Sequence, residues 1–331
     1  MTAVLEVKGL QKHFPVKSAK RRGHGAGVIR AVDDVSFKIE EGRTLALVGE
    51  SGCGKTTTAK MILRLQKPTA GEVLLDGRDI HQLEGADLKW YRLNVQAVFQ
   101  DPWGSLSPRR RVSDIVAEPL IVNQVASRKE ARSRVIELLE QVGMRASHAN
   151  LFPHEFSGGQ RQRIALAMAL ITKPRVVILD EPVSALDVSV QAQVLNLLRR
   201  IQREQGTTFL LIAHDLSTVR YVAHEVAVMY MGEVVEKGLV EDVYENPGHP
   251  YTRALFESTL PDHPDQLRTV PIRGEMPNPM NPPGGCRFRT RCPLVMPICQ
   301  TVPPAFELES GHLARCHLLS PEPVVAHGGG A

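Results

Sequence analysis

The residues best suited to chemistry form a glycine-rich loop near the start of the chain. Residues 49–56 read Gly-Glu-Ser-Gly-Cys-Gly-Lys-Thr, which matches the phosphate-binding pattern G-x-x-x-x-G-K-[ST]. Glycines let backbone N–H groups approach phosphate oxygens, and a helix N-terminus behind them favours negative charge. Lys55 suits the β- and γ-phosphates of a nucleotide, and the Thr56 hydroxyl suits Mg²⁺. The residues expected around the phosphates are Gly49, Glu50, Ser51, Gly52, Cys53, Gly54, Lys55, Thr56 and Thr57.

Cys53 occupies a position of this loop where a small side chain is sufficient. We interpret it as a packing residue. The alternative is a redox-sensitive thiol, because the start of a helix can lower the pKa of a cysteine.

A pair of carboxylates follows a second apolar run. Residues 176–179 are Val-Val-Ile-Leu, and Asp180 and Glu181 come directly after them. A buried strand that ends in Asp is suited to hold Mg²⁺, and Glu181 is placed to polarise a water. Asp-Glu pairs also cap helices, but together with the phosphate loop this pair predicts catalysis.

The elements that position these groups alternate along the chain. Apolar runs at 44–49, 175–179 and 208–213 predict buried parallel strands, and amphipathic patterns predict helices over 158–172 and 188–204. This alternation is typical of an α/β fold. Additional expectations are a strand over 3–14, a basic loop over 17–30, an exposed antiparallel strand over 31–39, and a mostly helical insertion over 101–155 that contains a helix over 128–142.

Length and composition limit the remaining possibilities. The chain has 331 residues, which suggests about two domains, and proline enrichment from residue 261 predicts a boundary there. Its 40 Lys and Arg against 36 Asp and Glu are too balanced to indicate a nucleic-acid binder. The apolar runs are too short to span a membrane, and the N-terminus lacks a signal-peptide pattern, so we expect a cytosolic protein with reduced cysteines.

The order of further motifs resembles that of ABC transporter ATPases. Residues 156–160, Phe-Ser-Gly-Gly-Gln, are similar to the family signature L-S-G-G-Q and lie between the phosphate loop and the acidic pair. This resemblance implies an ABC-type nucleotide-binding domain with a RecA-like core, an antiparallel β edge and a helical subdomain at about 101–165, all within residues 1–260. A small Cys- and Pro-rich appendage over 261–331 would follow.

The same resemblance implies roles for individual residues. Gln100 resembles the Q-loop glutamine, and His214 resembles the switch histidine, so with Glu181 they form the expected catalytic set. Phe14 resembles the aromatic residue that stacks on adenine. One departure is Met168, where the family usually has Arg. Residues expected to contact the nucleotide of a partner ATPase across a head-to-tail dimer are Ser157, Gly158, Gly159, Gln160 and Asp187.

Further stretches are similar to the oligopeptide/dipeptide importer subgroup, particularly its F-type ATPase subunit. They cover residues 49–57, 99–112, 181–198, 245–255 and 278–293. The subgroup implies an ATPase that powers peptide import from the cytoplasmic face of the plasma (inner) membrane. Its partners would be two permease subunits, a second and distinct ATPase subunit, and indirectly an external substrate-binding protein. A homodimer, and importers of nickel or glutathione, are alternatives.

Four cysteines near the C-terminus suit a metal centre. They are Cys286, Cys292, Cys299 and Cys316. Four thiolates suit an iron–sulfur cluster or Zn²⁺, but the C-x2-C pairs of zinc ribbons are absent from this spacing. Peptide-importer relatives carry a [4Fe–4S] cluster at this motif, so we expect that cluster, with Zn²⁺ or no metal as alternatives.

Two other classes of function fit parts of the sequence. A soluble ABC ATPase of translation or DNA repair usually has two cassettes or long coiled-coil insertions, whereas this chain has one cassette. A redox sensor that gates ATPase activity through the cysteines is the third hypothesis.

Overall fold

The computed structural model describes residues 2–16, 27–101, 104, 106–259, 274–309 and 311–320. Most of the expected basic loop, the start of the proline-rich segment and the C-terminal tail lie outside these described residues. Within the described ranges, no helix combines the length and apolar character that crossing a membrane requires.

Strands and helices alternate through most of the chain. The strands are β1 (Ala3–Val16), β2 (Gly27–Glu40), β3 (Thr44–Val48), β4 (Ala70–Leu75), β5 (Arg78–Asp79), β6 (Val95–Val98), β7 (Val176–Asp180), β8 (Thr208–Ile212), β9 (Glu225–Tyr230), β10 (Glu233–Leu239), β11 (Phe306–Glu309) and β12 (His312–Ala314). The helices are α1 (Lys55–Ile62), α2 (Gly85–Asn94), α3 (Val112–Val122), α4 (Arg128–Gln141), α5 (Gly158–Leu170), α6 (Val188–Gln205), α7 (Leu216–Val222), α8 (Val240–Glu245) and α9 (Pro250–Thr259).

The larger sheet has the strand order β11-β12-β10-β9-β3-β8-β7-β6. Strands β6, β7, β8, β3 and β9 pair in parallel, and β3, β7 and β8 are buried along their whole length. Apolar runs buried on both faces are what a parallel sheet covered by helices requires. The predicted α/β fold with parallel strands is therefore confirmed, and the carboxyl ends of β3, β8, β7 and β6 meet at one edge.

A second sheet is antiparallel and has the order β2-β1-β4-β5. Its β1–β2 pair runs from Ala3↔Glu40 to Val16↔Gly27, which confirms the predicted antiparallel edge. Residues 27–30 belong to β2, so their assignment to the basic loop was wrong. Val28, Ile29 and Val32 are β-branched residues that favour a strand, and they let the hairpin extend beyond the predicted strand.

The predicted helical insertion contains α3 and α4. Ser127 and Glu130 begin α4 with reciprocal side-chain to backbone hydrogen bonds, a capping box that satisfies the first-turn N–H groups. Val135 and Leu139 of α4 are fully buried in one core with Val112 and Val116 of α3. The insertion therefore packs as a helical layer, and its exact limits as a subdomain stay a prediction.

The C-terminal segment adds strands to the main sheet. β12 pairs with β10 through Glu236↔Ala314 and Lys237↔Leu313, and β11 pairs with β12. Because no proline lies between residues 305 and 315, this stretch can form strands despite the proline-rich sequence before it. The expected separate appendage is therefore not confirmed, and the boundary near residue 260 stays a prediction.

Candidate functional site

The phosphate loop connects β3 to α1, and its glycines are required by its shape. Gly49 has φ 145° and Gly54 has φ 114°, in the region that L side chains rarely adopt. A Cβ atom on Gly49 would collide with the Met229 carbonyl oxygen, and one on Gly54 with the Ala31 carbonyl oxygen. The loop is therefore held closely against β9 and β2 and can take no side chain at either position.

The ammonium group of Lys55 folds back over the loop. Its Nζ donates to the Gly49 carbonyl oxygen at 2.7 Å and to the Glu50 carbonyl oxygen at 3.0 Å. The Lys55 side chain is buried, whereas Thr56 is exposed at the start of α1. The Lys55 ammonium, which is expected to bind the phosphates, is thus held against the loop by these two hydrogen bonds.

Cys53 is a packing residue of the loop. Its side chain is buried, and burial raises the pKa of the thiol despite the nearby Lys55 ammonium. A reactive thiol needs the opposite shift, toward the thiolate form. The packing interpretation is therefore supported over the redox-sensitive one.

The three predicted catalytic side chains meet at the edge of the main sheet. Gln100 donates from Nε2 to Glu181 Oε2 at 2.8 Å, and His214 Nδ1 lies 3.2 Å from Glu181 Oε1. Each residue follows the carboxyl end of a parallel strand, namely β6, β7 and β8 in turn. Both oxygens of the Glu181 carboxylate are consequently oriented by a neighbour.

Glu181 occupies an unusual backbone conformation. Its φ is 50°, which is uncommon for a residue with a side chain. The Glu181 N–H donates to the Ile212 carbonyl oxygen at 2.9 Å, so the turn after β7 is tied to β8. Such constrained positions cluster at functional sites, where they aim a side chain.

Asp180 ends β7 beside Glu181 and is 9% exposed. Burial and the adjacent Glu181 carboxylate raise the pKa of Asp180, while Lys55 and Lys60 oppose that shift. A cation at this carboxylate would offset the cost of its burial. The donor set of Asp180 and the exposed Thr56 hydroxyl consists of hard oxygens, which Mg²⁺ prefers.

The signature residues begin helix α5. The Ser157 hydroxyl accepts a hydrogen bond from the Gln160 N–H, and Gln160 Oε1 accepts one from the Ser157 N–H at 3.0 Å. Ser157 and Gly158 are exposed, whereas a Cβ on Gly159 would collide with Val190. The signature thus packs on the start of α6, next to the exposed Asp187, and its hydrogen bonds stay within its own turn.

Two further predicted positions can be placed. Phe14 is half-buried on β1, opposite Ile29, with the Lys12 ammonium 5.1 Å from the ring centroid. Its ring is thus not part of the buried core. Met168, which replaces the usual Arg, is half-buried on α5 and packs against the larger core. An apolar contact therefore stands where the family usually has a charge.

The four C-terminal cysteines line one small cavity. Cys286, Cys292, Cys299 and Cys316 all contribute to its wall, and none forms a disulfide. Burial raises the pKa of Cys286 to about 11, and the three neighbouring thiols add to that shift. No group of three or more His, Cys, Asp or Glu side chains in the described residues is arranged for a metal ion. The structure therefore brings the four thiols together without defining a single-ion site.

Sequence reasoning missed two residues that contact the phosphate loop. Tyr251 Oη accepts the Glu50 N–H at 2.8 Å, and Arg291 pairs with the Glu50 carboxylate at 2.7 Å. Glu50 and Arg291 are 241 positions apart, beyond the reach of any local pattern. Tyr251 and Arg291 both lie in stretches similar to the importer subgroup, 245–255 and 278–293, but neither stretch indicates a contact with the loop.

Comparisons with protein families and with individual proteins both relate this chain to ABC transporters of peptides. Residues 32–184 match the family described as ABC transporter, and residues 235–299 match the C-terminal region of oligopeptide/dipeptide transporters. The di/tripeptide transport ATP-binding protein DppF of Pseudomonas aeruginosa is 45% identical over 96% of this chain and 98% of its own. The oligopeptide transport ATP-binding protein AppF of Bacillus subtilis is 46% identical, with the same two coverages of 96% and 98%.

Solved structures agree with the sequence relatives. A dimeric ATP-binding cassette in a post-hydrolysis state with ADP and Pi is similar with a TM-score of 0.62 and 30% identity, over 71% of this chain and 98% of that one. The cbiO1 protein of Clostridium perfringens, part of an ABC transporter complex, gives a TM-score of 0.63 and 28% identity over 74% and 91%.

Proposed function

The chain belongs to the family of ATP-binding subunits of ABC transporters, and we propose that it hydrolyses ATP to drive the import of peptides across a membrane. The observation that carries the proposal is the contact of Gln100, Glu181 and His214 at the sheet edge that also bears the phosphate loop. Relatives named for di/tripeptide and oligopeptide transport, and the match of residues 235–299, support peptides as the solute.

ATP binding follows from the phosphate loop and the end of β7. The Lys55 ammonium, already directed at the loop, would contact the β- and γ-phosphates, and backbone N–H groups of residues 51–56 would donate to them. Thr56 and Asp180 would hold Mg²⁺, which when bound neutralises charge on the phosphates. Phe14, half-buried on β1 of the second sheet, would stack on the base.

Hydrolysis follows from the carboxylate of Glu181. It would accept a hydrogen bond from a water aimed at the γ-phosphorus and take its proton as the new P–O bond forms. The bond to the bridging oxygen of ADP then breaks, and the negative charge passes to ADP. Gln100 and His214 hold the carboxylate oxygens, so the base enters the reaction already oriented.

Two ATPase chains are needed to complete each site. Ser157, Gly158 and Asp187 are exposed and would face the nucleotide of the other chain, where N–H groups at the start of α5 suit a γ-phosphate. A dimeric cassette among the similar structures supports this arrangement. We propose a related but distinct ATPase subunit as the partner, with a homodimer as the alternative.

The permease would contact the helical layer. A groove of about 520 Å³ lies between α3 and α4. Its lining residues are Arg110, Ser113, Asp114, Ala117, Glu118, Ile121, Val122, Arg128 and Arg132. Mixed charges around an apolar floor suit a short amphipathic segment of a membrane protein. This contact would place the chain on the cytoplasmic face of the plasma (inner) membrane.

Isolation of the chain from its own membranes tests these partners. We expect two permease subunits and a second ATPase to co-purify with it, since each is needed for transport. Val122→Asp, which adds a charge to the exposed edge of the groove, should reduce permease recovery without loss of ATP binding. Recovery of ribosomal or DNA-repair proteins instead would favour the soluble class of ABC ATPases.

We propose that the four C-terminal thiols hold a [4Fe–4S] cluster with a structural role. Four thiols that line one cavity match the four ligands that such a cluster takes. When bound, it would cross-link a segment that has little regular structure between residues 274 and 305.

Anaerobic purification tests the cluster. We expect an absorbance shoulder near about 400 nm that disappears in Cys286→Ser, because that thiol lines the shared cavity. Cys53→Ser is the matched control and should keep the shoulder, since Cys53 lies in the phosphate loop. Stoichiometric zinc without iron would reverse this assignment.

A further inference from the structure

The side chain of Glu50, in the phosphate loop, is held by a residue from the cysteine-bearing segment. Arg291 Nη1 lies 2.7 Å from Glu50 Oε2, and Arg291 Nη2 lies 3.0 Å from Glu50 Oε1. This is a bidentate pair, the strongest geometry available to an arginine and a carboxylate. The Arg291 side chain is only 5% exposed, and its Nη1 also lies 3.4 Å from the Tyr230 hydroxyl oxygen.

The backbone of Glu50 is held from the same side. Its N–H donates to Tyr251 Oη at 2.8 Å. The Tyr251 ring lies 4.6 Å from the Tyr230 ring and 5.4 Å from the Phe288 ring, between centroids. Phe288 is two residues after Cys286, so the aromatic cluster and Arg291 both connect the cysteine-bearing segment to the loop.

The neighbouring arginines do not share this contact. Arg287 pairs with Asp33 and with Glu233, and Arg289 donates to the Gly284 carbonyl oxygen within its own segment. The three arginines alternate along the same stretch of sequence, and Arg291 is the one that pairs with a residue of the phosphate loop. Arg291 therefore differs from the other two arginines in where its side chain lies, next to the phosphate loop.

We propose that Arg291 is a positioning residue for ATP binding, which fixes the phosphate loop through Glu50 and neutralises that carboxylate. The proposal rests on the assignment of residues 49–56 as the ATP site. Without Arg291, the loop would have to be ordered as ATP binds, which weakens affinity. The Glu50 carboxylate would also stand uncompensated near the anionic phosphates and repel them. Both effects act on binding, not on the chemical step.

The first test measures Mg-ATP affinity and steady-state kinetics for Arg291→Met in the full chain. We expect the Kd and the KM for ATP to rise about tenfold, a coupling of usual size, with kcat changed less than about twofold. Arg291→Lys keeps the charge but cannot form the bidentate pair, so its ATP affinity should lie between those of the wild type and Arg291→Met. Arg289→Met is the matched control and should bind ATP as the wild type does.

The second test separates charge from simple loss of structure. Glu50→Gln in the Arg291→Met background removes the uncompensated carboxylate and should recover part of the lost affinity. The loss in Arg291→Met should also shrink with added salt, because the Glu50 carboxylate is partly exposed and salt screens its repulsion of the phosphates. A merely structural role predicts no rescue and a loss that follows the melting temperature.

The outcomes separate this proposal from the assignment of function. If Arg291→Met binds ATP as tightly as Arg289→Met, or if Glu50→Gln restores nothing, the positioning role is wrong while ATP binding stands. If the wild-type chain itself binds no ATP, the proposed function fails first.

Discussion

ATP turnover is expected to fall by about 100-fold or more when Glu181 is replaced by Gln, the range that a positioned general base supplies. Gln has nearly the same shape as Glu, so the turn after β7 with its φ of 50° is retained. The amide cannot take the proton of the attacking water, whereas Lys55 and the loop still hold the phosphates. ATP binding should therefore stay at the wild-type level.

Single-turnover hydrolysis and equilibrium ATP binding, measured on the same preparation, check this prediction. Glu204→Gln, an exposed position near the end of α6, is the matched control and should leave both values unchanged. Turnover of Glu181→Gln within about twofold of the wild type would remove Glu181 from the reaction.

Lys55→Met should have the second largest effect, and it should act on binding. The change removes an ammonium group that now donates to the Gly49 and Glu50 carbonyl oxygens and would meet the phosphates. Charge-assisted hydrogen bonds contribute about 1.5–3 kcal/mol, so ATP affinity should weaken by about 10- to 100-fold. The substitution keeps most of the apolar stem, so the packing of α1 is retained.

Titration of each variant with Mg-ATP measures this loss. Lys89→Met, an exposed lysine on α2, serves as the control and should bind ATP normally. Unchanged affinity in Lys55→Met would mean that the loop does not hold the triphosphate as its pattern predicts. Binding that is lost in Lys55→Met and kept in Glu181→Gln would assign the two residues to successive steps.

The sequence predicted the parts of the fold that depend on local patterns. Continuous apolar runs indicated β3, β7 and β8 as buried parallel strands, and all of their residues are buried. Because parallel strands share one carboxyl edge, the pattern of strands predicts that the phosphate loop and Glu181 lie at the same edge of the sheet. Gln100 and His214 are single polar residues, so only the order of family motifs identified them.

Long-range pairing could not be predicted in this way. The proline-rich composition after residue 261 predicted a separate, loop-rich module, and it gave no indication that β12 pairs with β10 or that Phe288 lies in the main core. Strand pairing depends on a free edge elsewhere in the fold, which composition does not reveal. The Arg291–Glu50 pair could not be predicted for the same reason, since its two charges meet only when the C-terminal segment packs on the sheet.

The most direct test of peptide import is ATP-dependent uptake of a labelled peptide into proteoliposomes. They would contain the complex purified through this chain, together with its external binding protein. We predict uptake that requires ATP, is abolished with Glu181→Gln, and is not displaced by nickel or glutathione. Transport of nickel or glutathione without peptide uptake, or peptide uptake that continues with Glu181→Gln, would contradict the account.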